Sequence, residues 1–215
     1  GGECEVQGDE AVCVAPSGER VLFSGTLDWE WPLEQDYGGN GFYWWHRAGD
    51  GSYDIVNYGE MPTDDWTSPL DYEHGKVYLR FEVVSQPSER PFRVQLGIWQ
   101  DHGLQPHWRE CIGPKEDVSG GAGSEVVDTD GSTFADWWNH PSAPGPCDFT
   151  RPEDFYRIGV VLWDQANGCI LMGQGWGDSG CPELQDQFFP MIARVTVVSV
   201  PQGEDFSGWV NYPSP

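Results

Sequence analysis

The chain reads as an all-β protein, a two-sheet antiparallel β-sandwich or jelly roll with long disulfide-tied loops. Three observations predict this. Helical periodicity emerges nowhere, because 28 Gly and 17 Pro punctuate the 215 residues every few positions. Between these breaks lie short runs in which apolar and polar residues alternate, the period of a half-buried strand. Long irregular stretches separate the runs, as they do in sandwiches and jelly rolls.

The expected strands, in order, are 19–31 ("ERVLFSGTLDWEW", bent near Gly25), 42–46, 53–58, 76–85 ("KVYLRFEVVS") and 91–100 ("PFRVQLGIWQ"). Three more follow at 155–164 ("FYRIGVVLWD"), 168–172 and 191–200 ("MIARVTVVSV"). Segments 101–125, 128–153 and 173–190 read as loops. No linker rich in Pro, Ser or Thr divides the chain. One sandwich domain is therefore expected over 19–200, after a disulfide-tied segment 1–18 and before a partly ordered tail, 201–215.

Composition narrows the class of partner. The net charge is −24 and the pI near 4.2, so nucleic acid and anionic membrane surfaces would repel the chain. No apolar run approaches the roughly 18 residues of a membrane span, and no stretch of these residues reads as a signal peptide. The chain is expected to be the mature part of a secreted protein or a trimmed piece of one, and a monomer. Six cysteines, none in a CxxC spacing, suit three disulfides and an extracellular location. Order along the chain suggests Cys4–Cys13, Cys111–Cys147 and Cys169–Cys181, although spacing alone does not choose the connectivity.

Strand alternation assigns faces. In 76–85, Val77, Leu79, Phe81 and Val83 share one side, leaving Tyr78, Arg80 and Glu82 on the other. In 91–100, Phe92, Val94, Leu96 and Ile98 point inward, and Arg93, Gln95, Gly97 and Trp99 outward. In 155–164, Tyr156, Ile158, Val160 and Leu162 oppose Arg157, Gly159, Val161 and Trp163. The last two strands also echo each other, Arg93 matching Arg157 and Trp99 matching Trp163.

If the three strands are neighbours, their outer face is a patch of Tyr78, Arg80, Glu82, Arg93, Gln95, Trp99, Arg157 and Trp163. Sugars suit such a surface. Their C–H bonds lie against aromatic rings while their hydroxyls need planar donors and acceptors, and Arg adds bidentate bonds to carboxylates. Two Trp-rich stretches extend the candidates. In "FYWWH" (42–46), Tyr43 and Trp45 share a side opposite Phe42 and Trp44, and one set is expected in the core with the other at a rim. In "FADWWNH" (134–140), Trp137 and Trp138 sit in a loop.

The stretch "WTSPLDYEHGKVYLRFEVVS" resembles the loop, Gly-Lys turn and following strand of the secreted β-sandwich carbohydrate-binding modules of bacteria, and the pattern extends over roughly residues 20–200. The resemblance implies polysaccharide or oligosaccharide binding without catalysis, often with a structural Ca²⁺. The alternative is a polysaccharide lyase or glycoside hydrolase of jelly-roll fold acting on the same face. Against it, "YLRFEV" supplies Arg80 and Glu82 but no second Arg, and "VQLGIWQDH" supplies Gln95 with no His two positions on. No catalytic residue is assigned. For Ca²⁺ the best stretch is "DTDGSTFAD", with Asp128, Asp130, Ser132 and Asp136 as oxygen ligands.

Overall fold

Val77, Leu79, Phe81 and Val83 are all buried, as period two requires of a strand with one face in a core. The same alternation buries Phe92, Val94 and Leu96, then Val160 and Leu162, and finally Met191, Ala193, Val195 and Val197. In this computed structural model these side chains form one cluster between two antiparallel sheets. The fold is a β-sandwich. The structure describes residues 4–7, 10–13, 18–29, 42–48, 53–56, 66–67, 76–101, 108–133, 138–139, 155–169, 171, 181–201 and 203–215.

In chain order the strands begin with β1 (Cys4–Gln7), β2 (Glu10–Cys13), β3 (Arg20–Trp29), β4 (Phe42–Ala48), β5 (Tyr53–Val56), β6 (Trp66–Thr67) and β7 (Lys76–Ser85). They continue with β8 (Phe92–Asp101), β9 (Trp108–Val118), β10 (Glu125–Val127), β11 (Ser132–Thr133), β12 (Trp138–Asn139), β13 (Phe155–Asp164) and β14 (Met191–Val200). A single helical turn, α1 (Gln185–Phe188), precedes the last strand. The five-stranded sheet runs β10-β7-β14-β3, with β11 also on β7. The seven-stranded sheet runs β12-β9-β8-β13-β4-β5, with β6 also on β4, and β1 pairs with β2 in a separate two-stranded sheet. Backbone alone is described for β1, β2, β4, β5, β6 and β12, and for 98–101, 108–111 and 155–158.

Three expected strands, 76–85, 155–164 and 191–200, have the bounds that alternation assigns them. Other expectations differ: the expected loop 128–153 contains β11 and β12, which includes Trp138, and the expected loop 173–190 contains α1. The described part of 168–172 is not a strand; the Asp164 amide donates to the Cys169 carbonyl and the Leu171 amide to the Leu162 carbonyl, so the chain doubles back as a turn. Conversely, 101–125 contains β9, whose 11 residues include Gly113 and Pro114. The register against β8 shifts there, Gln95 facing Lys115 but Gly97 facing Ile112. Proline cannot donate to a ladder and is tolerated at such a bulge.

Consecutive strands β7 and β8 lie in different sheets. The connection between them carries Pro87 and Pro91 and is held by side chains in place of a hairpin ladder. Gln86 Oε1 accepts the Gly121 amide at 2.8 Å, and Ser88 Oγ donates to the Gln187 carbonyl at 2.7 Å. The Arg90 guanidinium grips the fully buried Asp164 with Nε at 2.7 Å and Nη2 at 3.2 Å. Burial alone would raise the Asp164 carboxyl, but Arg90 and the Asn167 amide outweigh it and hold the group below its usual range. Gly120, at φ 87°, closes the same corner; a Cβ there would lie 2.4 Å from the Arg90 carbonyl oxygen.

The ring of Phe92 meets Phe81 edge-on at 6.0 Å and Phe188 of α1 at 6.1 Å, so α1 seals one end of the core. A disulfide joins Cys169 to Cys181 with a Cα separation of 6.0 Å. Cys4 stands directly opposite Cys13 in the β1–β2 ladder, Cys111 lies in β9, and Cys147 falls outside the described residues. No helix among the described residues is long and apolar enough to cross a membrane.

Candidate functional site

The eight residues expected in one patch belong to two different sheets of the sandwich. Tyr78, Arg80 and Glu82 belong to β7 in the five-stranded sheet, whereas Arg93, Gln95, Trp99, Arg157 and Trp163 belong to β8 and β13 in the seven-stranded sheet. The grouping fails because β7 and β8, adjacent in sequence, pair with different partners.

The face bearing Tyr78, Arg80 and Glu82 is covered by residues 204–214, within the segment expected to be a partly ordered tail. Phe206 stacks on Tyr78 at 4.1 Å and Tyr212 stacks on Phe206 at 5.9 Å. Trp209 Nε1 donates to the Asp128 carbonyl at 2.6 Å, and Ser214 donates to Glu82 at 3.2 Å. Glu19 accepts from the Ser207 amide and hydroxyl and from the Tyr212 hydroxyl. Tyr78 is buried beneath this strap, and Glu82 also pairs with Arg194 at 3.3 Å. The chain itself occupies the surface that a ligand would need.

The seven-stranded sheet is different. Antiparallel pairing of the two echoed strands sets Arg93 opposite Trp163 and Trp99 opposite Arg157. The sequence echo thereby becomes two Arg/Trp pairs about 20 Å apart along the sheet. Asp117 completes the first row beside Arg93, and Glu110 stands beside Trp99 in the other. Between them, Trp44, Gly159, Gly97, Ile112 and Trp138 occupy one continuous row of register. Trp137 and Asp136 lie outside the described residues. In β4, Tyr43 and Trp45 pair with Val160 and Ile158, and Phe42 and Trp44 with Val161 and Gly159.

The centre of this outer face is buried: Gln95, Ile112 and Val161 are each 2% exposed or less. Gln95 is thus a support in place of an expected contact. Its Nε2 donates to the Gly113 carbonyl at 2.6 Å and its Oε1 accepts the Trp163 indole N–H at 2.9 Å. With its amide satisfied at both ends it fixes the plane of Trp163 and the bulge together. Among the described side chains, Trp163 and Arg93 at one end of the face are half-buried and Lys115 and Asp117 are exposed. Arg93 Nε binds Asp117 at 2.7 Å, and Lys115 Nζ lies 3.6 Å from the Trp163 ring centroid. Burial and then the repulsion of Arg93 lower the Lys115 ammonium. Lys115 escaped the sequence analysis because β9 read as loop; its signal was that the chain has only two lysines.

Asp128, Asp130 and Ser132, expected around Ca²⁺, follow β10 on the other side. Asp128 Oδ2 accepts the Leu79 amide at 3.1 Å, so this carboxylate caps a strand. Burial, with smaller contributions from Glu116 and Asp130, pushes it up to about 6 despite that hydrogen bond. The cleft beside it, between Leu79, Leu96, Pro114 and Glu116, has space for about one water molecule. Among the described residues no three His, Cys, Asp or Glu side chains gather to hold a metal ion. No known protein family, curated protein or solved structure matches this chain.

Proposed function

We propose that the protein is a secreted, non-catalytic polysaccharide-binding module that uses the outer face of the seven-stranded sheet. The observation that carries this reading is Trp163. Its strand already fills the core with Val160 and Leu162, yet a large ring stands on the opposite side with its N–H fixed by Gln95. An indole held in this way offers a preset platform for the C–H face of a sugar. Arg93 and Asp117 beside it supply a donor and an acceptor for hydroxyls. The Cys169–Cys181 disulfide favours an oxidising, extracellular setting.

The test is to pass the whole chain over immobilised neutral and uronate polysaccharides, measuring retention and any released unsaturated ends. Retention without product supports a binding module. Ultraviolet absorbance from new enol-ether ends would make the protein a lyase, and failure to retain on every polymer would remove the glycan reading.

A further inference from the structure

We propose that the glycan bound at this face carries uronic acids, whose carboxylate docks between Lys115 and Arg93 as a sugar ring displaces the Lys115 ammonium from Trp163. This rests on the polysaccharide-binding reading and names the class of sugar.

The charge inventory makes the arrangement unusual. The chain has 35 acids and 11 Lys plus Arg. Among the described residues, however, Lys115 contacts a ring and has no carboxylate partner. Arg93 engages Asp117 through Nε alone, leaving its Nη donors without a partner among the described residues. Two cations therefore stand close enough for Arg93 to disfavour the charge on Lys115, and both border the same indole. A ligand carboxylate relieves that repulsion, and a guanidinium with free Nη groups matches its planar geometry.

The ammonium also occupies the ring face a sugar would use. A cation–π contact holds it there. A neutral sugar must displace it with no new ionic contact for the lysine, whereas a uronate pairs with the displaced ammonium. Discrimination in favour of acidic sugars follows from that difference. The charge of −24 opposes any polyanion, but at physiological ionic strength charges farther than about 8 Å are largely screened. Within that distance the Lys115 and Arg93 cations face the Asp117 carboxylate, which already engages Arg93 Nε, so the ligand carboxylate is left the Arg93 Nη donors and the Lys115 ammonium.

The experiment measures the binding of the whole chain to alginate and polygalacturonate. Fully methyl-esterified polygalacturonate and polyglutamate serve as comparisons, and Lys115→Gln is assayed beside the unaltered protein. Lys115 is exposed, so the variant is expected to melt with the parent. The expected result is binding to a uronate polymer at least about tenfold tighter than to the methyl ester, with Lys115→Gln losing most of that preference. Equal binding of acid and ester would overturn the uronate assignment and leave the polysaccharide reading standing. Polyglutamate binding as tightly as the uronates would overturn it in favour of plain charge attraction. Retention of neither uronate polymer would also overturn it. Retention of none of the glycans would remove both readings.

Discussion

Gln95 Oε1 accepts the Trp163 indole N–H at 2.9 Å while Gln95 Nε2 donates to the Gly113 carbonyl at 2.6 Å, so one buried amide links three strands. The contact joins β13 to β8, and the carbonyl belongs to the β9 bulge that precedes Lys115. Replacing Gln95 by Leu strands a buried carbonyl and a half-buried indole N–H. The expected cost is about 2–4 kcal/mol of stability, with a weakened near-ultraviolet Trp signal and reduced glycan retention. Urea denaturation and circular dichroism of Gln95→Leu check this; an unchanged Trp signal would show that the amide does not set the ring.

Trp163 and Phe81 separate platform from core. Phe81 is fully buried among core residues, and Phe81→Ala is expected to cost about 3–5 kcal/mol. Trp163→Ala removes a half-buried ring outside that cluster and is expected to cost only about 1–2 kcal/mol, while abolishing most glycan retention. Thermal melts and retention of the two variants provide the comparison. A Trp163 variant that unfolds like the Phe81 variant would mark Trp163 as structural.

The strap over the five-stranded sheet makes a third prediction. Phe206 stacks between Tyr78 and Tyr212, so Phe206→Ala should expose Tyr78 and loosen Trp209. A loss of about 2–3 kcal/mol is expected, with faster hydrogen exchange at the Tyr78 amide and no change in glycan retention. Lost retention with intact stability would instead place the ligand on the strap side.

Two carboxyls give opposite pH dependences. Asp128 is raised in the folded state from 3.8 to about 6, so the folded protein holds its proton more tightly than the unfolded chain. Its contribution to stability therefore falls as pH rises from about 4 to about 6 and stays low above that. Asp128→Asn keeps an oxygen for the Leu79 amide, should remove this slope and should stabilise the protein at pH 7 by about 1–2 kcal/mol after solvent screening. Asp164 is lowered, so its contribution is present at neutral pH and is lost as pH falls through its folded value, below about 4. Arg90→Ala should cost about 3 kcal/mol at pH 7 by leaving that buried charge uncompensated, and less in acid. Melting curves of the two variants from pH 3 to pH 8 test both signs.

The strands 76–85, 155–164 and 191–200, and the inward set of 76–85, were legible from the sequence by itself. Alternation is a local property, and burying Val77, Leu79, Phe81 and Val83 on one side needs no knowledge of the partner strand. The echo between β8 and β13 was visible too. Antiparallel pairing alone turned it into Arg93 facing Trp163 and Trp99 facing Arg157.

Partner choice was decided only by the tertiary structure, because strand pairing joins residues far apart in the chain. "QPSERP" after β7 looks like an ordinary turn, yet its prolines and the Arg90–Asp164 grip send β8 into the opposite sheet. That crossing separates Arg80 from Arg93 and leaves Tyr78, Arg80 and Glu82 beneath the chain's own strap. β9, hidden from alternation by the bulge at Gly113 and Pro114, delivers Lys115 and Asp117 to Trp163 and Arg93. Residue type and period fixed which side chains avoid the core; sheet membership, set by long-range packing, determined which of them meet.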